Sequence, residues 1–495
     1  MAELTQSKKK VDAKYIVWTI IGLFLMFFAG KVFPTWGPVT ELGVSMIGAF
    51  VGLLVLITGT GELIWPACAA YLAVIIHGYM DAATATSNFI GTTVIIQMIA
   101  VCVICSALRE SGAGEVIAKK LLTAKFVQGK PVLFTIVFLV AFLFADILLN
   151  SFGGIIFSFA VFESVVNALG YKKNDKYVQA MYLGLYLDGM IGCALLPFSG
   201  MQLGITNAFN SAMGNFGLAF NPAIYIVAVI PAGVIFMILY SLAMRYVFRC
   251  DMSKIKDLDV NSLDSLKSVS NKFNKIQVIY IVAFLVGIAY SFALLLLPKS
   301  LPWYGKFASI SQAAWFVLII VLLSMFKIDG KPIMNAGKHF KEGANWAFIT
   351  TVGVFSILGG ALSSNDLGVK AWLTEILGPM FSNMSWPMFI LLIVAVCSIV
   401  TNFFSNMATG VIVASLTAPF VASFAEAGMN ISVVGAAIAY SSMFAFMTYA
   451  AAGPAPILLG REGIETKFIW TKGLFTLVLY IVVATVVFSL MGVIL

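Results

Sequence analysis

Two short polar segments interrupt long apolar runs: Asn150-Ser151, followed by Gly153-Gly154, and Ser405-Asn406, followed by Met407 and Ala408-Thr409-Gly410. Asparagine and serine side chains, with carbonyls freed from helical bonding, offer oxygen ligands to a hard cation. A helix N-terminus beside them presents unpaired N–H groups and partial positive charge to an anion, and the glycines allow backbone to approach a ligand closely. The same residues taken singly could only cap buried helix ends; their occurrence as a related pair favours binding. Two further irregular stretches, 195–200 with Leu195, Pro197 and Ser199, and 451–456 with Ala451, Gly453 and Pro454, would free carbonyls inside apolar runs.

Three carboxylates, Asp146, Glu163 and Asp188, also lie in apolar runs, where a charge costs at least about 2.5–3.5 kcal/mol on insertion scales. Asp146 stands one turn before Asn150, on the same face, and is the candidate for cation or proton coupling. Glu163 is placed to snorkel. Asp188 falls mid-helix, where a structural hydrogen bond and a functional role are equally open. His77 and His339 are too isolated for a metal site and read as interfacial, and the six cysteines show no metal-ligand pairing. There is no Walker loop, nucleotide fingerprint or catalytic metal box, so no enzyme and no resident cofactor are expected.

The elements that must position these residues are membrane helices. Of 495 residues, 61% are hydrophobic and 11% charged, with a mean hydropathy of +1.00; a soluble domain is roughly a quarter charged. A water-soluble fold is excluded, and no sizeable soluble domain fits. The net charge of +8 reflects basic cytoplasmic loops rather than a nucleic-acid partner. Apolar runs predict an all-α polytopic membrane protein with about eleven transmembrane helices and two re-entrant hairpins, 131–169 and 386–425, whose polar tips require protein or a water-filled cavity around them. The runs 177–219 and 433–460 read as broken helices.

An offset of 256 residues pairs Gly112 with Gly368, Pro131 with Pro387, Asn150 with Asn406, Gly154 with Gly410 and Gly204 with Gly460. These matches fall on hairpin starts, tips and helix breaks. One hairpin opens from the cytoplasm and the other from outside, so the repeats are inverted, an architecture of secondary transporters. The expected organisation is a cytoplasmic N-terminus over 1–14, a first half over 15–247, a solvated cytoplasmic linker over 248–274 and a second half over 275–495. With the N-terminus inside, all of the 30 lysines and arginines except Lys31, Lys299, Lys306 and Lys370 fall on the cytoplasmic side, which places the C-terminus outside.

The second tip, Ser405-Asn406-Met407-Ala408-Thr409, resembles the Ser-Asn-Thr signature of the divalent anion:sodium symporters, and the stretch from Ala451 through Gly453-Pro454 to Gly460 is similar to that family's Pro-Pro helix break. Here Met407 replaces the signature threonine, the first tip reads Leu149-Asn150-Ser151, and Gly453 and Ala455 flank Pro454. The resemblance implies a homodimer in the inner membrane with an elevator motion. It implies sodium sites at tips and breaks, drawn here from Asn150, Leu195, Ser199, Ser405, Asn406 and Ala451, to which Asp146 would add a charge that the family's usual members lack. Between them it implies an anion held by Asn150, Ser151, Asn406, Met407, Thr409, Gly453 and Pro454. The leading expectation is sodium-coupled import of a small organic dianion, a di- or tricarboxylate. The alternative, motivated by Asp146 and the lost hydroxyls, is a proton-coupled or exchange carrier for another anion such as sulfate. A channel or an intramembrane enzyme is disfavoured.

Overall fold

The computed structural model describes residues 13–495 apart from 123–128, 199, 259–268, 299, 345, 363, 365, 373–374, 377–383 and 450. Among the described residues, seven helices are long and apolar enough to cross a membrane, and six shorter apolar helices accompany them. The shorter set includes Pro131–Ile147, Trp386–Val400 and Ile431–Ser441, which belong to the predicted hairpins and broken helices. Their length falls below the roughly 20 residues a spanning helix needs.

The chain divides into two compact units, one of Met1–Gly91 with Trp346–Leu377 and one of Thr92–Asn345 with Gly378–Leu495. In the first unit, helix Ala13–Val32 lies along helix Glu41–Thr60. Small residues set their spacing: a Cβ on Gly48 would collide with Ala29, and one on Gly52 would stand 2.5 Å from the Gly22 carbonyl. Between apolar helices in lipid, such close backbone approach replaces the hydrophobic drive available in water. The Thr40 N–H donates to the Leu367 carbonyl at 3.1 Å, while Thr40 Oγ1 caps the following helix by accepting from the Gly43 N–H at 3.0 Å.

In the second unit, helical backbone runs from Pro131 to Ala168, but it is not a straight rod. Phe138 and Phe162 would stand about 36 Å apart along a straight helix, yet their ring centroids are 6.0 Å apart. Phe142 and Phe157 lie 5.8 Å apart, and a Cβ on Gly154 would strike the Asp146 carboxylate. All three pairings centre on residue 150, so the chain doubles back there. The second hairpin is formed by Trp386–Val400 and Asn406–Glu426, with Phe389 packed on Phe424 at 4.8 Å. Proline stands in the first turn of both leading arms, where its missing N–H costs nothing. The offset-related Gly112 and Gly368 share left-handed backbone, at φ 72° and 69°.

Three details differ from the sequence-based expectation. The segment 248–258 is packed rather than solvated: Phe248, Cys250, Met252, Ile255 and Leu258 are buried, and Tyr171 Oη donates to the Asp251 carbonyl at 3.2 Å. Apolar residues at every second or third position within a charged stretch supply that face. His339 is buried, with its Nδ1 3.2 Å from Ser106 Oγ, rather than interfacial. The second broken helix stops at Ser441, well before Gly453, because side chains of the neighbouring hairpin take over its hydrogen bonding.

Candidate substrate and ion site

That takeover is the work of Thr401 and Asn402, in the turn between the arms of the second hairpin. Asn402 is fully buried. Its Oδ1 accepts from the backbone N–H groups of Phe446 and Met447, both at 2.8 Å. Its Nδ2 donates to the carbonyls of Ser398 at 2.7 Å and Phe444 at 3.0 Å. Thr401 Oγ1 lies 2.6 Å from the Ser442 carbonyl and 3.0 Å from Asn406 Oδ1, and Thr448 Oγ1 donates to the Asn402 carbonyl at 2.5 Å. Buried backbone groups without partners are costly; these side chains satisfy the groups freed where the helix unwinds after Ser441.

The second tip is thereby fixed against the second break. Asn406 is buried, with Nδ2 directed at Met443 Sδ at 3.7 Å. Met407 and Thr409 are buried as well, and Thr409 Oγ1 has no hydrogen-bond partner among the described residues. Ser405 is half-buried and precedes the arm without capping it through its side chain. The arm itself begins at Asn406, so its first N–H groups sit at the tip with the partial positive charge of a helix N-terminus.

The first tip meets both breaks. Helix Lys176–Gly192 ends at the first break and helix Gly200–Gly214 follows it. Cys193, at the start of that break, interacts with the Ser151 backbone. Tyr225 Oη donates to the Ala194 carbonyl at 2.6 Å, and Leu195 is buried. Phe152, beside Ser151, faces the second break: a Cβ on Gly453 would stand 3.1 Å from its ring. Tyr186 Oη donates to the Ala445 carbonyl at 2.9 Å. Pro454 and Ala451 are buried, Gly453 is exposed and Ser151 is half-buried. The side chain of Asn150 and all of Ser199 lie outside the described residues. Asp146 is fully buried, with both carboxylate oxygens unpartnered among the described residues.

Sequence reasoning missed Thr401 and Asn402. The repeat offers a signal for Asn402, since the 256-residue offset places it opposite Asp146. Arg461 was also missed and has no comparable local signal. It pairs with Glu163, donates to Tyr182 Oη at 2.7 Å and lies over the Tyr182 ring at 4.0 Å. Tyr182 Oη also donates to Glu163. These residues line a cavity of about 320 Å³ together with Lys173 and Glu462. The Glu462 carboxylate, 2.6 Å from Lys173 Nζ, raises that ammonium above its ordinary range. Glu163 is thus tied to a partner rather than reaching freely for the interface.

A family model described as the sodium:sulfate symporter transmembrane region matches residues 17–495. No curated protein matches by sequence. Among solved structures, the fold is similar to that of Neisseria gonorrhoeae MtrF, described as illuminating a class of antimetabolite efflux pumps. The TM-score is 0.60 and the identity 13%, over 96% of this chain and 98% of that one. It is also similar to the YdaH transporter of Alcanivorax borkumensis, described as having an unusual topology, with a TM-score of 0.54 and 13% identity over 91% and 98% of the two chains. At this identity the likeness is one of fold.

Proposed function

Because the chain belongs to the sodium:sulfate symporter family, and is thus a multi-pass membrane transporter, we propose that it imports a small anion, a di- or tricarboxylate, together with sodium. The carrying observation is the meeting of tips and breaks: Thr401 and Asn402 clasp the second break and Asn406 reaches Met443 in it, while Ser151 and Phe152 lie against the first and second breaks. Helix ends and freed carbonyls gathered in one region suit an anion and its counter-ions. In this reading both hairpins are re-entrant. Asn150, Ser151, Asn406, Met407, Thr409, Gly453 and Pro454 hold the anion. Sodium is held by Asn150, Leu195 and Ser199 near the first tip and by Ser405, Asn406 and Ala451 near the second, with Asp146 contributing to cation coupling. The molecule works as a homodimer in the inner membrane, N-terminus inside and C-terminus outside, by an elevator motion.

A second reading, proton-coupled or exchange transport of another anion such as sulfate, is favoured by the buried Asp146, which is unpartnered among the described residues. Uptake of succinate, citrate and sulfate into proteoliposomes, with sodium and proton gradients imposed separately, tests both. Sodium-driven entry of a carboxylate supports the first. Entry of sulfate driven by protons alone, or only into vesicles preloaded with anion, selects the second, and no uptake of any of the three under either gradient or by counterflow rejects both.

A further inference from the structure

The two halves of the molecule solve the same structural problem differently. In the second half, a neutral amide closes the junction between hairpin and broken helix: Asn402 Nδ2 donates to the Phe444 carbonyl, and its remaining bonding capacity is filled. The 256-residue offset places Asp146 opposite Asn402 and Asp188 opposite Phe444. The first half therefore carries two carboxylates where the second has an amide and a phenylalanine. Both are fully buried, and among the described residues none of their four oxygens has a hydrogen-bond partner.

The two groups are neighbours. Gly192 lies one turn after Asp188 on the same helix face, and a Cβ on Gly192 would stand 2.9 Å from that of Asp146, so the two side chains are rooted about one helical turn apart. The nearest other titratable groups are Cys193, which follows Gly192, Tyr240, whose hydroxyl donates to the Ala180 carbonyl of the Asp188 helix at 2.7 Å, and Tyr440, whose hydroxyl would stand 2.5 Å from a Cβ on Gly233. The Tyr440 hydroxyl is itself buried and unpartnered among the described residues. No basic side chain among the described residues is paired with either carboxylate.

Two adjacent buried carboxylates cannot both stay ionised, and an isolated buried charge is far too costly to persist. A neutralising cation is therefore required. Hard metal ions such as calcium and magnesium gather about six or more oxygens, and sodium, held in the transport reading by the tips and breaks, would likewise need more ligands than these carboxylates. The walls here include Gly154, Gly192 and the Ile155 side chain, which packs on Gly189. A proton needs no more than a single carboxyl oxygen.

We propose that Asp146 and Asp188 form a proton-binding pair, at least one of them protonated while both are buried, and that this proton is released when the first tip opens to water. Release leaves a negative charge that only a hydrated tip can stabilise, so proton loss and opening are linked. The inference deepens the transport reading by naming a second kind of coupling ion, and its link to opening rests on that reading.

Infrared difference spectroscopy of the purified full-length protein tests it without a substrate. At neutral pH and without sodium, the wild type is expected to show a protonated-carboxyl band. That band is lost in the double variant Asp146→Asn/Asp188→Asn and shifted in Asp146→Asn alone, which installs the residue the other half already accommodates. Thermal unfolding verifies that the variants are folded; if the double variant is not, the shift in Asp146→Asn decides. Absence of the band in the wild type, a band unchanged by the substitutions, or its removal by sodium at constant pH would overturn the proposal. The spectrum reads the carboxyls directly and does not depend on transport: failure of both sulfate and succinate to enter proteoliposomes would count against the transport reading instead.

Discussion

Asn402 Nδ2 donates to the carbonyl of Phe444 at 3.0 Å, joining the turn of the second hairpin to a helix that has just unwound. This bond and its three companions explain why the helix ends where it does. Asn402→Ala would strip partners from the Phe444 carbonyl and the Phe446 and Met447 N–H groups, at about 1–3 kcal/mol for each buried group left unsatisfied. We expect a drop of several degrees in the thermal unfolding midpoint in detergent.

Asn150→Ala and Asn406→Ala are each expected to abolish solute uptake while leaving membrane insertion and dispersity in detergent intact. Asn406 reaches Thr401 and Met443, and without it Thr401 keeps its 2.6 Å bond to the Ser442 carbonyl, so the junction stays joined. Normal uptake by both variants would discard the tips as the binding site.

Glu163, on the returning arm of the first hairpin, is joined to Arg461, which follows the second break, and both also bond to Tyr182. A double-mutant cycle over Glu163→Gln and Arg461→Gln should return a coupling free energy of about 0.5–3 kcal/mol, the range for residues sharing one network. A value indistinguishable from zero would show that the cluster is a surface ion pair of little consequence.

His339 gives a prediction for pH. Burial holds its imidazole below the ordinary value of 6.5, with Glu110 partly opposing that shift. The folded state therefore favours neutral histidine, and the contribution to stability is fully present above pH 6.5 and lost as the pH falls through the folded-state value. Thermal stability should decline over that acidic window, and His339→Gln should flatten the decline. An unchanged slope in the variant would assign the acid sensitivity elsewhere.

The membrane class, the two polar interruptions and the internal offset are all legible in the chain alone. Composition dictates the solvent a helix prefers, and Asn150, Asn406, Pro131 and Pro387 stand out against uniformly apolar surroundings. Those same surroundings concealed the rest: helices that are apolar all round carry no periodic face from which partners can be read. Folding was needed to bring Asp188 beside Asp146, 42 positions away in the chain, to join Arg461 to Glu163, and to let Asn402 end a helix from outside it. Each of these depends on which long-range contacts satisfy buried polar groups, a condition imposed by packing rather than by any local pattern of residues.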